Sequence, residues 1–411
     1  MELIQLEHKK LWRKTSTKIS VLLCFIYIVV LGAILSFQWF TFGSSDRDSF
    51  SGSFGNHFDG YSMIKESQAY SRTFGGELTD ETLQEMVRSY QSIYQAASDG
   101  DKEADRKEGQ TDHYIIDSWL EQFYPELKDT NLYQTMSTYV DPEKLTGFYD
   151  RRLQAIEDFL EVSGQTGAER AYLLAIEEKV QKPFSYEFVE GWSVLLASMI
   201  SDLGTVMALF LAIVLSSLFS GEWRDNTSHL LLTTKNGWER IARAKIITGL
   251  LFAAELFLLL AAGLLLAQTF FLGWTGWDMP IQMVKMISIA PMNMLQAELY
   301  EYSFAFLGAL GFAGVVLFIS VAVKNTVFAL IGSLAAVYGP MMIVQYLPFS
   351  LQKALDLLPL VGSSTDIFRT NTFCIFGKYI WSPYLLITVP FLIGILCMPL
   401  AVRKWARQMK R

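Results

Sequence analysis

Residues 219–246 read FSGEWRDNTSHLLLTTKNGWERIARAKI, and this stretch decides how the chain is organised. It lies between two long apolar runs. Glu222 and Arg224 stand at the mouth of the first run; Arg240, Arg243 and Lys245 stand at the mouth of the second. Between the charges comes an apolar patch, Leu230, Leu231 and Leu232, and then a turn at Asn236-Gly237, a pair that tolerates positive φ. The pattern predicts a short helix-turn-helix held between two membrane spans, with apolar residues offered to a partner protein.

Outward from this loop, the apolar residues of the 411-residue chain gather into runs long enough to cross a bilayer, which takes ~20 helical residues. Six such runs are expected, at roughly 19–40, within 193–219, and at 246–271, 303–323, 326–346 and 382–402. The charges between them alternate. Lys9, Lys10, Arg13, Lys14 and Lys18 precede the first run; the 221–245 loop, Lys324 and the tail Arg403-Lys404 to Arg411 carry the remaining basic clusters. The positive-inside rule places all four segments in the cytoplasm and everything between them outside. Residues 1–18, with Leu3, Leu6 and Leu11 as an apolar stripe, read as an amphipathic helix on the inner surface. The first run is too long for the apolar core of a secretory signal and lacks a small-residue cleavage site, so it reads as an anchor.

The expectation is an all-α membrane protein with six transmembrane helices and a mainly helical extracellular domain inserted after the first. Residues 1–40 form the N-terminal helix and first span, 41–191 the external domain, and 192–411 a five-helix membrane domain with its cytoplasmic loop at 221–245. The external stretch is acidic. Leu83, Val87, Tyr90 and Tyr94 recur at helical spacing behind Asp80 and Glu81. Tyr114, Ile115, Trp119, Leu120 and Phe123 make a second stripe, and 98–110 reads as a charged loop. Asp141-Pro142 predicts a capped helix start running on through Leu145, Phe148, Leu153, Ile156 and Leu160, and Thr166 with Glu169 a capping box. The aromatic cluster Phe184, Tyr186, Phe188 and Trp192 reads as an interfacial belt before the second span.

Little in the chain points to catalysis. The net charge of −7 argues against a nucleic-acid partner. Three cysteines and four scattered histidines make no disulfide framework and no metal-ligand spacing, so no metal or other cofactor is expected. There is no GxxxxGK[ST] and no nucleophile motif, so no catalytic residue is assigned, and any ATP is hydrolysed on another chain. Two carboxylates fall inside spans, Asp202 in the second and Glu255 in the third; ionisable groups at that depth line a path or face a partner. Ala305, Gly308, Gly311 and Gly314 form a ladder of small residues suited to close packing within the chain.

With Glu222, Thr227, Leu231, Leu232, Thr233, Arg240 and Lys245 in this order between two spans, the loop resembles the first cytoplasmic loop of ABC-2 type transporter permeases. Asn226 stands where that family usually has Gly, and Lys235-Asn236 where its turn usually has Pro. The resemblance extends over the membrane portion. It implies a coupling helix, carried by Glu222, Thr227, Leu230, Leu231, Leu232, Arg240 and Lys245, that docks on a separate ATP-binding subunit. It also implies a second permease chain, homo- or heterodimeric, and export of a peptide, antibiotic or lipid-like substrate across a bacterial plasma membrane. A permease-like surface receptor or signalling protein without an ATPase shares the plan, and so in part does a mechanotransmitter with four spans.

Overall fold

The computed structural model describes residues 2–42, 57–108, 111, 113–129, 134–165, 167–189, 192–193, 196, 200–225, 237–362, 368 and 370–409. The first half contains α1 (Glu2–Arg13), α2 (Thr15–Phe42), α3 (His57–Thr73), β1 (Gly76–Leu78), α4 (Asp80–Ser98), α5 (Lys102–Glu108), α6 (His113–Phe123), α7 (Met136–Tyr139), α8 (Phe148–Val162), α9 (Gly167–Glu177) and β2 (Phe184–Tyr186). The second half contains α10 (Ile200–Leu215), α11 (Ser217–Arg224), α12 (Gly237–Phe271), α13 (Met294–Ala322), α14 (Thr326–Ile343), α15 (Phe349–Asp356), β3 (Thr372–Ile375), β4 (Lys378–Trp381) and α16 (Ser382–Met409). The chain divides into two compact units. One is Met1–Val30, Leu195–Ala267 and Glu298–Arg411; the other is Leu31–Val194 and Gln268–Ala297.

Among the described residues, five helical segments are long and apolar enough to cross a membrane: Leu203–Arg224, Trp238–Phe270, Met294–Ala322, Thr326–Tyr346 and Ser382–Gln408. The first apolar run meets the same standard only when joined to α1, from which it is bent by 69° at Lys14. These lengths fit a multi-pass membrane protein. The outward surface agrees: Ile19, Leu22, Phe25, Ile26, Val29 and Val30 on α2 all stand exposed. Water would penalise such a continuous apolar face, whereas hydrocarbon would not.

Glycine sets the closest helix approach. A Cβ on Gly311 would meet the Pro390 carbonyl, and a Cβ on Gly394 would run into the Gly311 Cα. A Cβ on Gly314 would sit 2.6 Å from the Gly394 carbonyl. The Gly311–Gly314 part of the ladder is therefore an intrachain seam between α13 and α16, in backbone contact, whereas Gly308 faces Leu360. The second span is broken at Ser216, between α10 and α11. A serine of α13 fills the break: Ser320 Oγ donates to the Ser216 carbonyl at 2.6 Å and accepts from the backbone N–H groups of Phe219 and Ser220 at 3.1 and 3.2 Å. Groups freed by a helix break in an apolar setting must be paired, and here one hydroxyl pairs three.

The second unit is helical with one short strand pair. Leu83, Val87 and Tyr90 of α4 and Ile115, Trp119, Leu120 and Phe123 of α6 are buried as their spacing predicts, with Met86 and Ile116 beside them, but Tyr94 is half-buried and Tyr114 exposed. The expected 98–110 loop contains α5, because the Asp101 carboxylate accepts from the N–H groups of Glu103 and Ala104 and starts a turn. The helix expected from Asp141 does not run on. Pro142–Lys144 is a single tight turn, Gly147 takes positive φ, and α8 starts at Phe148. The cap comes from elsewhere: the Asp80 carboxylate accepts from Gly147 N and Phe148 N at 2.6 and 3.0 Å. Thr166, half of the expected capping box, lies outside the described residues.

Phe184, Tyr186, Phe188 and Trp192 are core rather than a belt at the membrane surface; each is buried. β2 pairs with β1 in antiparallel register, Leu78 opposite Phe184, which ties the start of this unit to its end. Residues 268–297 belong to the same unit. Arg152, itself buried, holds them: it donates to the carbonyls of Met286 (2.9 Å) and Ser288 (2.8 Å) and pairs with Glu177 at 2.7 Å. Trp192 Nε1 donates to the Thr275 carbonyl and Gln68 to that of Leu272.

Candidate functional site

The ends of the helices in the first unit carry the charged residues that the sequence singles out. α11 brings Glu222 to its last turn and α12 brings Lys245 to its second and third turns. The two meet: Lys245 Nζ donates to Glu222 Oε1 at 2.8 Å, and both residues are buried, at 1 and 7 % exposure. Two further groups join from α1. Glu7 accepts from Lys245 at 2.7 Å, and Lys10 donates to Glu222 at 2.8 Å. Lys14, at the bend after α1, donates to Ser217 Oγ at 3.0 Å.

This cluster mixes signs closely enough to shift its members. For Lys10, burial pulls the pKa down, but the hydrogen bond and charge of Glu222, with Glu7 behind it, outweigh burial and leave it raised. Lys14 goes the other way. Burial, reinforced by the positive charges of Lys245 and Lys10, holds its ammonium down at about 8.

Glu255 is nearly three turns further along α12, and α1 reaches it as well. Trp12 Nε1 donates to Glu255 Oε2 at 3.0 Å, His8 Nε2 lies 3.0 Å from the same carboxylate, and the Trp12 ring packs edge-on against Phe252. Thr248 Oγ1 contacts the Ile4 carbonyl between the two sites. Lys245, Thr248, Phe252 and Glu255 recur at spacings of three and four, so α12 meets α1 along one face, while Lys10 reaches across to Glu222 of α11. α1 is thus a strap laid along the mouth of the bundle. It is held by two polar anchors and by buried Leu11, whereas Leu6 of the expected apolar stripe is exposed.

The remaining basic segments arrive at the same end. Lys324 sits over the Trp223 ring at 4.1 Å. Trp405 near the end of α16 is fully buried against Phe219 and Trp223, and Gln408 donates to the Val321 carbonyl. At the other end Tyr300 donates to the Pro383 carbonyl and packs on Phe368. Residues 1–18, the two flanks of the loop, Lys324 and the C-terminal tail are brought together, in keeping with helices that alternate in direction.

Of the residues assigned to the coupling loop, Glu222 and Lys245 are joined. Arg240 is exposed on α12, and Glu222 pairs with Lys245 and Lys10. Thr227, Leu230, Leu231 and Leu232 lie outside the described residues. Asp202 is on α10, where no side-chain position is described. Glu255, expected to line a path or face a partner, is held by His8 and Trp12 of its own chain. Glu7, His8, Lys10, Trp12 and Ser320 escape a reading of the sequence that treats residues 1–18 only as a membrane-surface helix. The face of α12 from Lys245 to Glu255 was the signal that α1 had a partner. Comparison with family models, with curated proteins and with solved structures gave no match.

Proposed function

We propose that this chain is the membrane-spanning subunit of an ABC-2 type transporter, working with a separate ATP-binding subunit and a second permease chain. In this reading α1 and α2 are a bent first span with its surface helix. Both termini and the 221–245 loop are cytoplasmic, and the 41–191 region lies outside with residues 268–297. The substrate class is a peptide, antibiotic or lipid-like molecule, carried outward across a bacterial plasma membrane. No step of catalysis falls to this chain.

One observation carries the reading. The two mouths of the loop, Glu222 and Lys245, are clamped to each other and to α1 by buried charge pairs. A push on the loop therefore cannot move one span alone: α11, α12 and α1 shift as a block, and the Ser216 break gives that block a place to bend. Such a device suits a loop that receives force from outside the bilayer and has no use in a passive one. The convergence of all the basic segments at this end supports the assignment of that end to the cytoplasm.

The test is co-purification from native membranes with the ATP-binding partner identified by mass spectrometry. Leu231→Asp is expected to release that partner with insertion intact. A Leu231→Asp chain that retains the ATPase and full substrate-stimulated hydrolysis would sink the coupling role. Labelling single cysteines with an impermeant reagent tests orientation separately: a cysteine at Ser98 should react in intact cells and one at Gln408 should not.

A further inference from the structure

Residues 347–381 join α14 to α16, in a segment that the charge pattern places outside. They contain α15 and the hairpin β3–β4, in register Thr372–Trp381, Phe373–Ile380, Cys374–Tyr379 and Ile375–Lys378. That register leaves a two-residue turn, Phe376-Gly377, with φ of 51° and 75°. Positive φ at both positions is the mirror-image turn that suits hairpins, and Asn-Gly is its usual sequence. Phenylalanine is a poor choice for the first position, because its Cβ crowds the backbone there. Burial inside the chain does not offset that cost, since Phe376 is fully exposed. Ile375 beside it is exposed as well.

The hairpin is firmly seated. Ser382 N, at the first residue of α16, donates to the Asn371 carbonyl at 2.8 Å, closing the base. Lys353 of α15 donates to the Thr372 carbonyl at 2.9 Å and lies over the rings of Phe349 and Phe373. α15 and the hairpin are therefore one tied piece, and α15 brings exposed Phe349 and Leu351 to it, next to exposed Tyr346. Both ends of the piece are span ends. Tyr346 closes one candidate span and Ser382 opens the next, so at ~3.3 Å per strand residue Phe376 stays within about 20 Å of Ser382.

We infer that this piece is a membrane-boundary anchor: α15 lies at the lipid headgroup level and the hairpin inserts Phe376 into the lipid boundary next to the mouths of α14 and α16. The inference rests on reading α14 and α16 as spans. Aromatic side chains with lysines among them are the composition of that zone, the rings in the acyl boundary and Lys353 and Lys378 near phosphates. A strained, fully exposed aromatic at a tip tethered this close to two spans has lipid within reach, and transfer of the ring from water offsets the turn's cost.

The experiment places an environment-sensitive nitrobenzoxadiazole label at position 376, in a full-length Phe376→Cys chain with Cys24, Cys374 and Cys397 replaced, reconstituted in phosphatidylcholine vesicles. Quenching by shallow spin-labelled lipid with protection from iodide is the expected result. Quenching by iodide alone means the tip is in water, and protection from both means a protein covers it; either outcome overturns the inference. A second label at Leu392, exposed on α16 within its candidate span, separates the two readings. If Leu392 is lipid-quenched and 376 is not, only the anchor falls; if neither is, the spans fall with it.

Discussion

Glu222, at the end of one candidate span, and Lys245, two turns into the next, form a buried ion pair of 2.8 Å across 22 intervening positions. The pair is not isolated, since Lys10 and Glu7 share its two ends. Removing one partner leaves a buried charge without its counterpart, a cost of ~3–5 kcal/mol, lower where water reaches the site. Glu222→Ala is therefore expected to lower the thermal unfolding midpoint of the purified chain clearly. The double variant Glu222→Leu with Lys245→Met is expected to recover most of the loss, because apolar groups of similar volume need no pairing. A double variant as unstable as the sum of the singles would show that the two residues act separately.

Lys14 gives the cluster a pH signature. Its pKa, held at about 8 by burial and by Lys245 and Lys10, is below the ordinary 10.5. The fold therefore penalises its charge. The penalty is full below about 8, where the side chain is protonated whether the chain is folded or not. It fades as pH rises from about 8 to 10.5, where only the unfolded chain still holds the proton. Lys14→Met removes this contribution, so it should be more stable than the parent at pH 7, with the gap narrowing by pH 10. Paired melting curves at the two pH values decide it; a gap that does not change with pH would mean Lys14 is solvated.

In the second unit, Arg152 is the tie between α8 and residues 268–297. Its guanidinium serves two carbonyls and one carboxylate at once, with the Phe184 ring beside it. Lysine keeps the charge but not the planar fork, so Arg152→Lys should still lose the bonds to Met286 and Ser288. Limited proteolysis is expected to cut between Gly273 and Asn293 in Arg152→Lys far faster than in the parent. Equal protection would mean that Trp192 and Gln68 suffice to hold the segment.

The sequence is most readable where periodicity is long. The apolar runs foretell five of the span helices, although the starts at 203, 238 and 294 lie eight to ten residues from the expected 193, 246 and 303, and the Leu83–Tyr90 and Ile115–Phe123 stripes foretell α4 and α6. It misleads where a short local signal has a distant competitor. Asp141-Pro142 is a good helix start by itself, yet Gly147 interrupts the helix and Asp80, sixty-odd residues away, supplies the cap that restarts it. The start of α13 at Met294 was legible but passed over: Asn293 and Gln296 exchange hydrogen bonds with each other's backbone as a capping box. At the candidate site, the individual charges of Glu222 and Lys245 stand out in the sequence, but their partners do not. Lys10 and Glu7 are more than 200 residues from Glu222 and Lys245, and only the bend after α1 brings them there.

The second anchor of α1 gives the sharpest test of the strap. Glu255 accepts from Trp12 and meets His8, and it lies within a candidate span, where a carboxylate without partners is costly. Glu255→Gln keeps an acceptor of the same shape, so Trp12 still has its bond and α1 should stay seated. Glu255→Leu keeps bulk but no acceptor; the indole N–H then keeps only the His8 ring, 3.2 Å away, and both lose their tie to α12. The strap should then lift from α12. Lys9 and Lys10 in its middle make the event visible, because trypsin needs an unfolded segment to cut there. Rapid loss of the N-terminal peptide in Glu255→Leu, with Glu255→Gln as resistant as the parent, is the expected pattern. If the two variants are cut alike, the Lys10–Glu222 and Glu7–Lys245 contacts alone hold α1, and Glu255 is released from the strap for another role within the membrane.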